Sequence, residues 1–192
     1  MRKPAVFIDR DGTINEQLGY INHLSRFVIF PGVSEAVRLL NKNNWWAIIV
    51  SNQGGVARGY YPIELVEEIH AFLKSSLREQ GATIDGIFFC PHHPAGILPE
   101  YSSECDCRKP KTGLIDRARE VFDIDMSSSY VVGDRHVDIE LASRLNLKGV
   151  LVKTGYGLGE IEYIIPEKRL KPHHVAEDLL DAVKWILNEE KK

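Results

Sequence analysis

The chain has 192 residues, with 24 Lys and Arg against 27 Asp and Glu for a formal net charge of -3, and 44 % of its residues are hydrophobic. This composition describes one domain around a single core and excludes collagen-like, disordered and disulfide-framework classes. With no Lys/Arg-rich tract it lacks the electrostatic footprint of a nucleic-acid binder, and with no signal-like or membrane-length apolar run it reads as a cytoplasmic chain without a membrane partner.

In chain order, short apolar runs bounded by Gly, Pro, Asp or Asn predict strands at 5–8, 45–50, 86–89, 130–132, 149–152 and 174–176. Between them Val33, Ala36, Val37 and Leu40 recur at helical spacing. So do Ile63, Val66, Ile69, Phe72, Leu73 and Leu77, with Pro62 suited to the first turn and Gly81 to the stop. Further helices fit 114–122, 137–145 and 178–187. Alternation with strands that are apolar throughout predicts an α/β fold, a parallel sheet with helices on both faces. Two segments break the rhythm, 12–31 and 90–112, and loops of that length in a compact α/β unit are usually functional. No repeat or linker divides the chain, so one unit is expected over 1–192.

The first strand ends in Asp9-Arg10-Asp11-Gly12-Thr13. Ligands of open parallel sheets bind beyond the carboxyl ends of strands, and a two-residue spacing on extended chain points both carboxylates the same way. Two such carboxylates suit a hard divalent cation combined with acid/base chemistry. The second strand runs into Ser51-Asn52-Gln53-Gly54-Gly55, well suited to donating hydrogen bonds to an anion. The fourth runs into Gly133-Asp134-Arg135-His136-Val137-Asp138, a second acidic strand end.

All three cysteines fall in one loop, as Cys90-Pro91-His92 and Cys105-Asp106-Cys107, with twelve residues between His92 and Cys105. Three thiolates and an imidazole complete a tetrahedral Zn²⁺ shell, and a closed shell is structural. His93 is the competing imidazole; the C-x-H spacing favours His92. The loop leads directly into Arg108-Lys109-Pro110, so the metal would position Lys109.

Asp9-x-Asp11-Gly12-Thr13, Ser51-Asn52, Lys109-Pro110 and Gly133-Asp134-x-x-x-Asp138 resemble, in order, the four motifs of the haloacid dehalogenase (HAD) superfamily of phosphohydrolases. The resemblance implies a Rossmann-like core without a large cap and with a zinc-loop insert at 90–107. It further implies a Mg²⁺-dependent transfer in which Asp9 is the nucleophile, Asp11 the proton donor and acceptor, and Ser51 and Lys109 stabilise the phosphoryl group. Mg²⁺ would be held by Asp9, the backbone carbonyl of Asp11, and Asp134. Asp138 has two readings, an orienting partner of Lys109 or a metal-bound water, and a first-turn aspartate complementing the helix dipole.

Two zinc-loop groups of the superfamily resemble the chain: the D-glycero-D-manno-heptose 1,7-bisphosphate 7-phosphatases of bacterial heptose and lipopolysaccharide biosynthesis, and the histidinol-phosphate phosphatases. Asp9–Asn15, Ser51–Gly59, Cys90–Pro94 and the twelve-residue spacer are similar to the first group. Substrate contacts implied by that similarity fall on Gln17, Leu18, Gly19, Tyr20, Ser51, Asn52, Gln53, Gly54, Arg108 and Lys109, in a chain expected to be a monomer. The chain departs from the group at Gln17, Leu18 and Gly54, where Asp, His and Ser are frequent. Arg10, Arg58 and Arg135 are each read either as a contact to a second phosphate or as a solvated charge. A phosphoaccepting receiver domain would lack the Asp11 partner and the zinc loop, and a non-catalytic zinc module would not fill every catalytic position.

Overall fold

The computed structural model describes residues 2–191, so the two terminal residues of the expected unit lie outside the described part. Its six strands are β1 (Ala5–Ile8), β2 (Trp46–Asn52), β3 (Gly86–Cys90), β4 (Tyr130–Gly133), β5 (Lys148–Val152) and β6 (His174–Ala176). They form one sheet in the order β3-β2-β1-β4-β5-β6, every pair parallel. Parallel neighbours require crossovers, and the helices supply them.

The helices are α1 (Val33–Lys42), α2 (Ile63–Glu79), α3 (Gly113–Val121), α4 (His136–Arg144), the single turn α5 (Gly157–Gly159), α6 (Ile165–Lys168) and α7 (Leu179–Glu189). The pleat sends Val6, Ile8, Ala47 and Ile49 to one face, where Val37 and Leu40 of α1, Ile69 and Leu73 of α2 and Val183 and Ile186 of α7 pack on them. Ala5, Phe7, Ile48 and Val50 face the other way, onto Leu114, Ile115 and Ala118 of α3 and Leu141 and Ala142 of α4. Alternate residues of apolar-throughout strands therefore feed two separate cores. Gly81 ends α2 at φ +72°, as its place in the sequence predicts.

Each predicted strand is present, with bounds moved by at most two residues; β2 extends through Ser51 and Asn52 because both remain paired with β3. The sequence gives no helical signal for 157–168, yet this segment forms α5, a π-helical turn (Glu160–Ile164) and α6. Gly155, Gly157, Gly159 and Pro166 mask it, since glycine and proline depress any helical reading. No helix among the described residues is long and apolar enough to cross a membrane.

The sheet order reverses between β1 and β4, and the crevice outside the carboxyl ends of strands at such a switch point is where ligands bind in open α/β sheets. Asp9 leaves β1 there and Asp134 leaves β4.

Candidate active site

Four sequence-distant segments meet at the switch point. Asp9 continues β1, its N–H donating to the carbonyl of Val132 at 2.8 Å. Lys109, 4 % exposed, reaches from the end of the cysteine loop and donates through Nζ to Oδ1 of Asp9 at 2.6 Å, Oδ1 of Asp138 at 2.7 Å and the Val50 carbonyl at 2.8 Å. Its backbone is fixed by a two-way amide pair: Lys109 N–H donates to Oδ1 of Asn52 at 2.9 Å, and Asn52 Nδ2 donates back to the Lys109 carbonyl at 3.1 Å. Asn52 is thus a positioning group for Lys109 as well as part of the cavity wall.

Burial pushes Asp9 up to about 6 against the pull of Lys109, and burial together with the charges of Asp9 and Asp138 pushes Asp134 up to about 8. Burial disfavours the charged form of Lys109, but Asp138 and Asp9 overcome it and hold the ammonium protonated. Asp134 accepts from the Tyr156 N–H at 2.8 Å through Oδ2, whereas its Oδ1 is buried and has no protein partner. Oxygens of Asp9, Asp134 and Asp138 lie within 4.8 Å of one another. Clustered carboxylates, of which Asp9 and Asp134 are driven towards protonation, with an unsatisfied oxygen among them, are the donor set that a hard divalent cation satisfies.

Asp11 is set differently. Burial opposes its ionisation, but the Arg10 guanidinium and hydrogen bonds from Asn15 and Gln53 hold its carboxyl below the usual range. Arg10 NH2 lies 2.8 Å from Oδ2, Asn15 Nδ2 donates to Oδ1 at 3.0 Å and Gln53 Nε2 to Oδ2 at 2.7 Å. Gln53 is in turn held by Tyr61, whose hydroxyl donates to Oε1 at 3.1 Å. Arg10 is 1 % exposed, which corrects both readings made of it: it is neither a solvated charge nor a contact in the cavity.

A cavity of about 200 Å³ opens over these groups, walled by Asp9, Asp11, Asn52, Arg108, Lys109 and Asp138 on its polar side. Gln17, Gly19, Tyr20 and Gly54 also line it, as do His93, Arg135, Val137 and Tyr156. Three expected contacts lie elsewhere. Leu18 is exposed outside the cavity wall, Ser51 is buried with Oγ accepting from Gln53 at 2.8 Å, and Gln53 faces Asp11. Gln17 folds back, accepting from the Gly19 N–H at 2.9 Å.

The cysteine loop gathers its four predicted donors. Cys105 Sγ lies 3.4 Å from Cys90 Sγ and 3.3 Å from Cys107 Sγ, and His92 Nδ1 lies 3.5 Å from Cys107 and 3.8 Å from Cys90. A disulfide needs about 2.05 Å, whereas tetrahedral ligands about 2.3 Å from one ion stand roughly 3.7 Å apart. The set is compatible with zinc. His93 turns away, its Nε2 3.0 Å from Arg58 NH2.

The HAD-hydrolase-like family model matches residues 106–182, the stretch carrying Lys109, Asp134 and Asp138. A D-glycero-D-manno-heptose-1,7-bisphosphate 7-phosphatase of Thermosynechococcus vestitus is 40 % identical over 190 residues, 97 % of this chain and 96 % of its own. The chain belongs to this family of HAD-type phosphatases. A second member, the D-glycero-beta-D-manno-heptose-1,7-bisphosphate 7-phosphatase of Escherichia coli K12, is 38 % identical over 96 % of this chain and 88 % of its own. The crystal structure of D,D-heptose 1,7-bisphosphate phosphatase from B. bronchiseptica, complexed with magnesium and phosphate, superposes with a TM-score of 0.84 at 29 % identity, covering 97 % of this chain and 99 % of that one. As a HAD-type phosphatase the chain is a phosphoric monoester hydrolase.

Sequence reasoning misplaced Arg10 and missed Asn15 and Glu160 at this phosphatase site. Asn15 flanks Asp11 from within the same motif and carried no separate signal. Glu160, 5 % exposed on the π-helical turn, accepts from the His136 N–H at 3.0 Å and lies 2.8 Å from His136 Nδ1, anchoring the first turn of α4 between Asp134 and Asp138.

Proposed function

We propose that this chain removes the 7-phosphate of D-glycero-D-manno-heptose 1,7-bisphosphate, as a single catalytic unit over 1–192 working as a monomer in the cytoplasm and serving heptose biosynthesis. The observation that carries the chemistry is the buried group of Asp9, Lys109 and the unpartnered Oδ1 of Asp134 at the switch point. The substrate follows from near full-length relatives named for it.

In this reading Mg²⁺ is held by Asp9, the carbonyl of Asp11, and Asp134, and when bound it supplies positive charge that offsets the repulsion between a carboxylate nucleophile and a phosphate. Asp9 attacks phosphorus, and the bond to the sugar oxygen breaks as the aspartyl-phosphate forms. Asp11 gives a proton to the departing oxygen and later takes one from the water that cleaves the intermediate. Lys109 stabilises the transferring oxygens; in phosphoryl transfer such positioning and charge complementarity provide most of the catalysis. Arg108, on the cavity wall and donating to the His92 carbonyl at 3.2 Å, offers a planar fork to the substrate. Cys90, His92, Cys105 and Cys107 hold a structural Zn²⁺ that fixes the base of the loop.

Phosphate release is measured with both anomers of heptose 1,7-bisphosphate, fructose 1,6-bisphosphate and histidinol phosphate, using the parent chain and Asp9→Asn. The expected result is highest kcat/KM on a heptose bisphosphate and no release by Asp9→Asn. Preference for histidinol phosphate overturns the substrate, and full turnover by Asp9→Asn overturns the mechanism.

A further inference from the structure

The carboxylate of Asp11 is clamped by a side chain with a second attachment that the phosphatase chemistry leaves unused. Arg10 grips Asp11 through Nε at 3.2 Å and NH2 at 2.9 and 2.8 Å. Its other terminal nitrogen, NH1, points the opposite way and lies 3.1 Å from Nε2 of His70 on α2, sixty residues distant in sequence. A guanidinium carries only donors, so Nε2 must accept, and His70 is the neutral imidazole with its proton on Nδ1.

Both groups are enclosed. Arg10 is 1 % and His70 7 % exposed; the Phe27 ring lies 5.7 Å from Arg10 Cζ, and the Phe89 ring packs edge-on against His70 at 5.3 Å. Among apolar rings, NH1 has few alternatives to His70, and an unsatisfied buried donor is costly. The imidazole therefore fixes where the guanidinium lies, and the guanidinium, together with Asn15 and Gln53, fixes where Asp11 lies.

We propose that His70 is a positioning residue for phosphoryl transfer, holding Arg10 so that Asp11 meets the departing oxygen of the substrate. This rests on Asp11 being the proton donor. As the phosphorus–oxygen bond to the leaving group breaks and the bond to Asp9 forms, the proton that Asp11 has taken up from solvent passes to the leaving oxygen, and Asp11 returns to the carboxylate that Arg10, Asn15 and Gln53 hold. Misplacing a catalytic group by about 1 Å costs on the order of 100-fold. That loss should scale with how much the leaving group needs its proton.

The test compares heptose 1,7-bisphosphate, whose leaving oxygen is an alkoxide, with p-nitrophenyl phosphate, whose phenolate departs with little protonation. The quantity read is kcat/KM, which reports steps up to the first irreversible one. His70→Leu removes the acceptor, His70→Asn keeps a polar amide that falls short of NH1, and His70→Gln carries an oxygen to the position of Nε2. Expected are losses of about 10- to 100-fold on the sugar phosphate for the Leu and Asn variants, losses of less than about 3-fold on the aryl phosphate, and recovery on the sugar phosphate in the Gln variant. Equal losses on both substrates, or no loss on either, overturn the role of His70, and the Asn variant decides if the Leu variant does not fold. Asp11→Asn keeps the two failures apart. If it too shows no difference between the substrates, the assignment of Asp11 fails; if it shows the difference and the His70 variants do not, only the present inference fails.

Discussion

Lys109 donates to Oδ1 of Asp138 at 2.7 Å in a contact almost wholly removed from solvent. The other carboxylate oxygen, Oδ2, accepts from the Arg135 N–H at 3.3 Å at the start of α4. Asp138 therefore fills both of the roles its sequence position suggests, helix first-turn acceptor and partner of the lysine. One ammonium pairs with both Asp9 and Asp138, so the site is electrostatically a unit.

Removing that ammonium should cost stability as well as activity. Lys109→Met leaves two buried carboxylates facing each other, and breaking a buried pair from one side typically costs about 3–5 kcal/mol. Urea unfolding should show a loss of that order, with phosphate release reduced at least about 100-fold. Asp138→Asn keeps an oxygen for the helix start and should cost less stability than Lys109→Met. Equal midpoints for Lys109→Met and the parent protein would refute the coupling.

Of the four donors of the cysteine loop, the last, Cys107, stands immediately before Arg108 and Lys109 in the chain. If they hold zinc, its removal frees the segment whose end delivers the ammonium to Asp9. Elemental analysis should find about one zinc per chain, Cys105→Ser should lower it, and phosphate release should fall although Mg²⁺ is saturating. Full turnover by zinc-free protein would sever the link between the loop and the site.

The sequence made the strands and the acidic strand ends legible for a physical reason. Strands buried on both faces must be apolar throughout, and the carboxylates that follow them have no place in a core. The cysteines were legible because ligand spacing is local. What escaped is pairing between side chains far apart in the chain. His70 falls beside Ile69 and Leu73 on the buried stripe of α2, so its position reads as core, and its polar partner Arg10 comes from another element. Gln53 and Ser51 lie in a motif that suggests anion binding, yet Gln53 is drawn to Asp11 by Tyr61. Helical 157–168 is held by contacts such as Glu160 to His136, not by its own propensity.

The buried neutral state of His70 predicts a pH dependence of stability. Burial, aided by the charge of Arg10, lowers its pKa from 6.5 to about 3. Between those values the unfolded chain binds a proton that the folded chain does not, so this contribution is complete above pH 6.5 and is lost as pH falls towards 3. His70→Gln removes it. Subtracting unfolding free energies of the Gln variant from those of the parent between pH 7 and 4.5 should give a difference that declines with acidification, by at most about 1.4 kcal/mol per pH unit. A constant difference would mean that His70 takes up a proton as readily folded as unfolded.

Gly12 sits at φ +92°, and a Cβ built on it would stand 2.1 Å from Oδ2 of Asp134 and 3.2 Å from the Gly155 Cα. Two penalties are therefore separable at this position. The left-handed conformation alone costs a non-glycine residue about 1–2 kcal/mol. The collision is a different matter, because it must displace the carboxylate proposed to hold Mg²⁺. Gly81 supplies the contrast: it has φ +72°, but its Cβ would meet nothing closer than Arg38 Cδ at 3.8 Å. Both Gly12→Ala and Gly81→Ala should lower the unfolding free energy. Only Gly12→Ala should also raise the Mg²⁺ concentration for half-maximal phosphate release, by about 10-fold or more if the collision removes on the order of 1.4 kcal/mol of ion binding. If the two variants respond identically to Mg²⁺, the contact between Gly12 and Asp134 does not shape the metal site, and Asp134 accommodates the added methyl group by turning without loss of its ligand role.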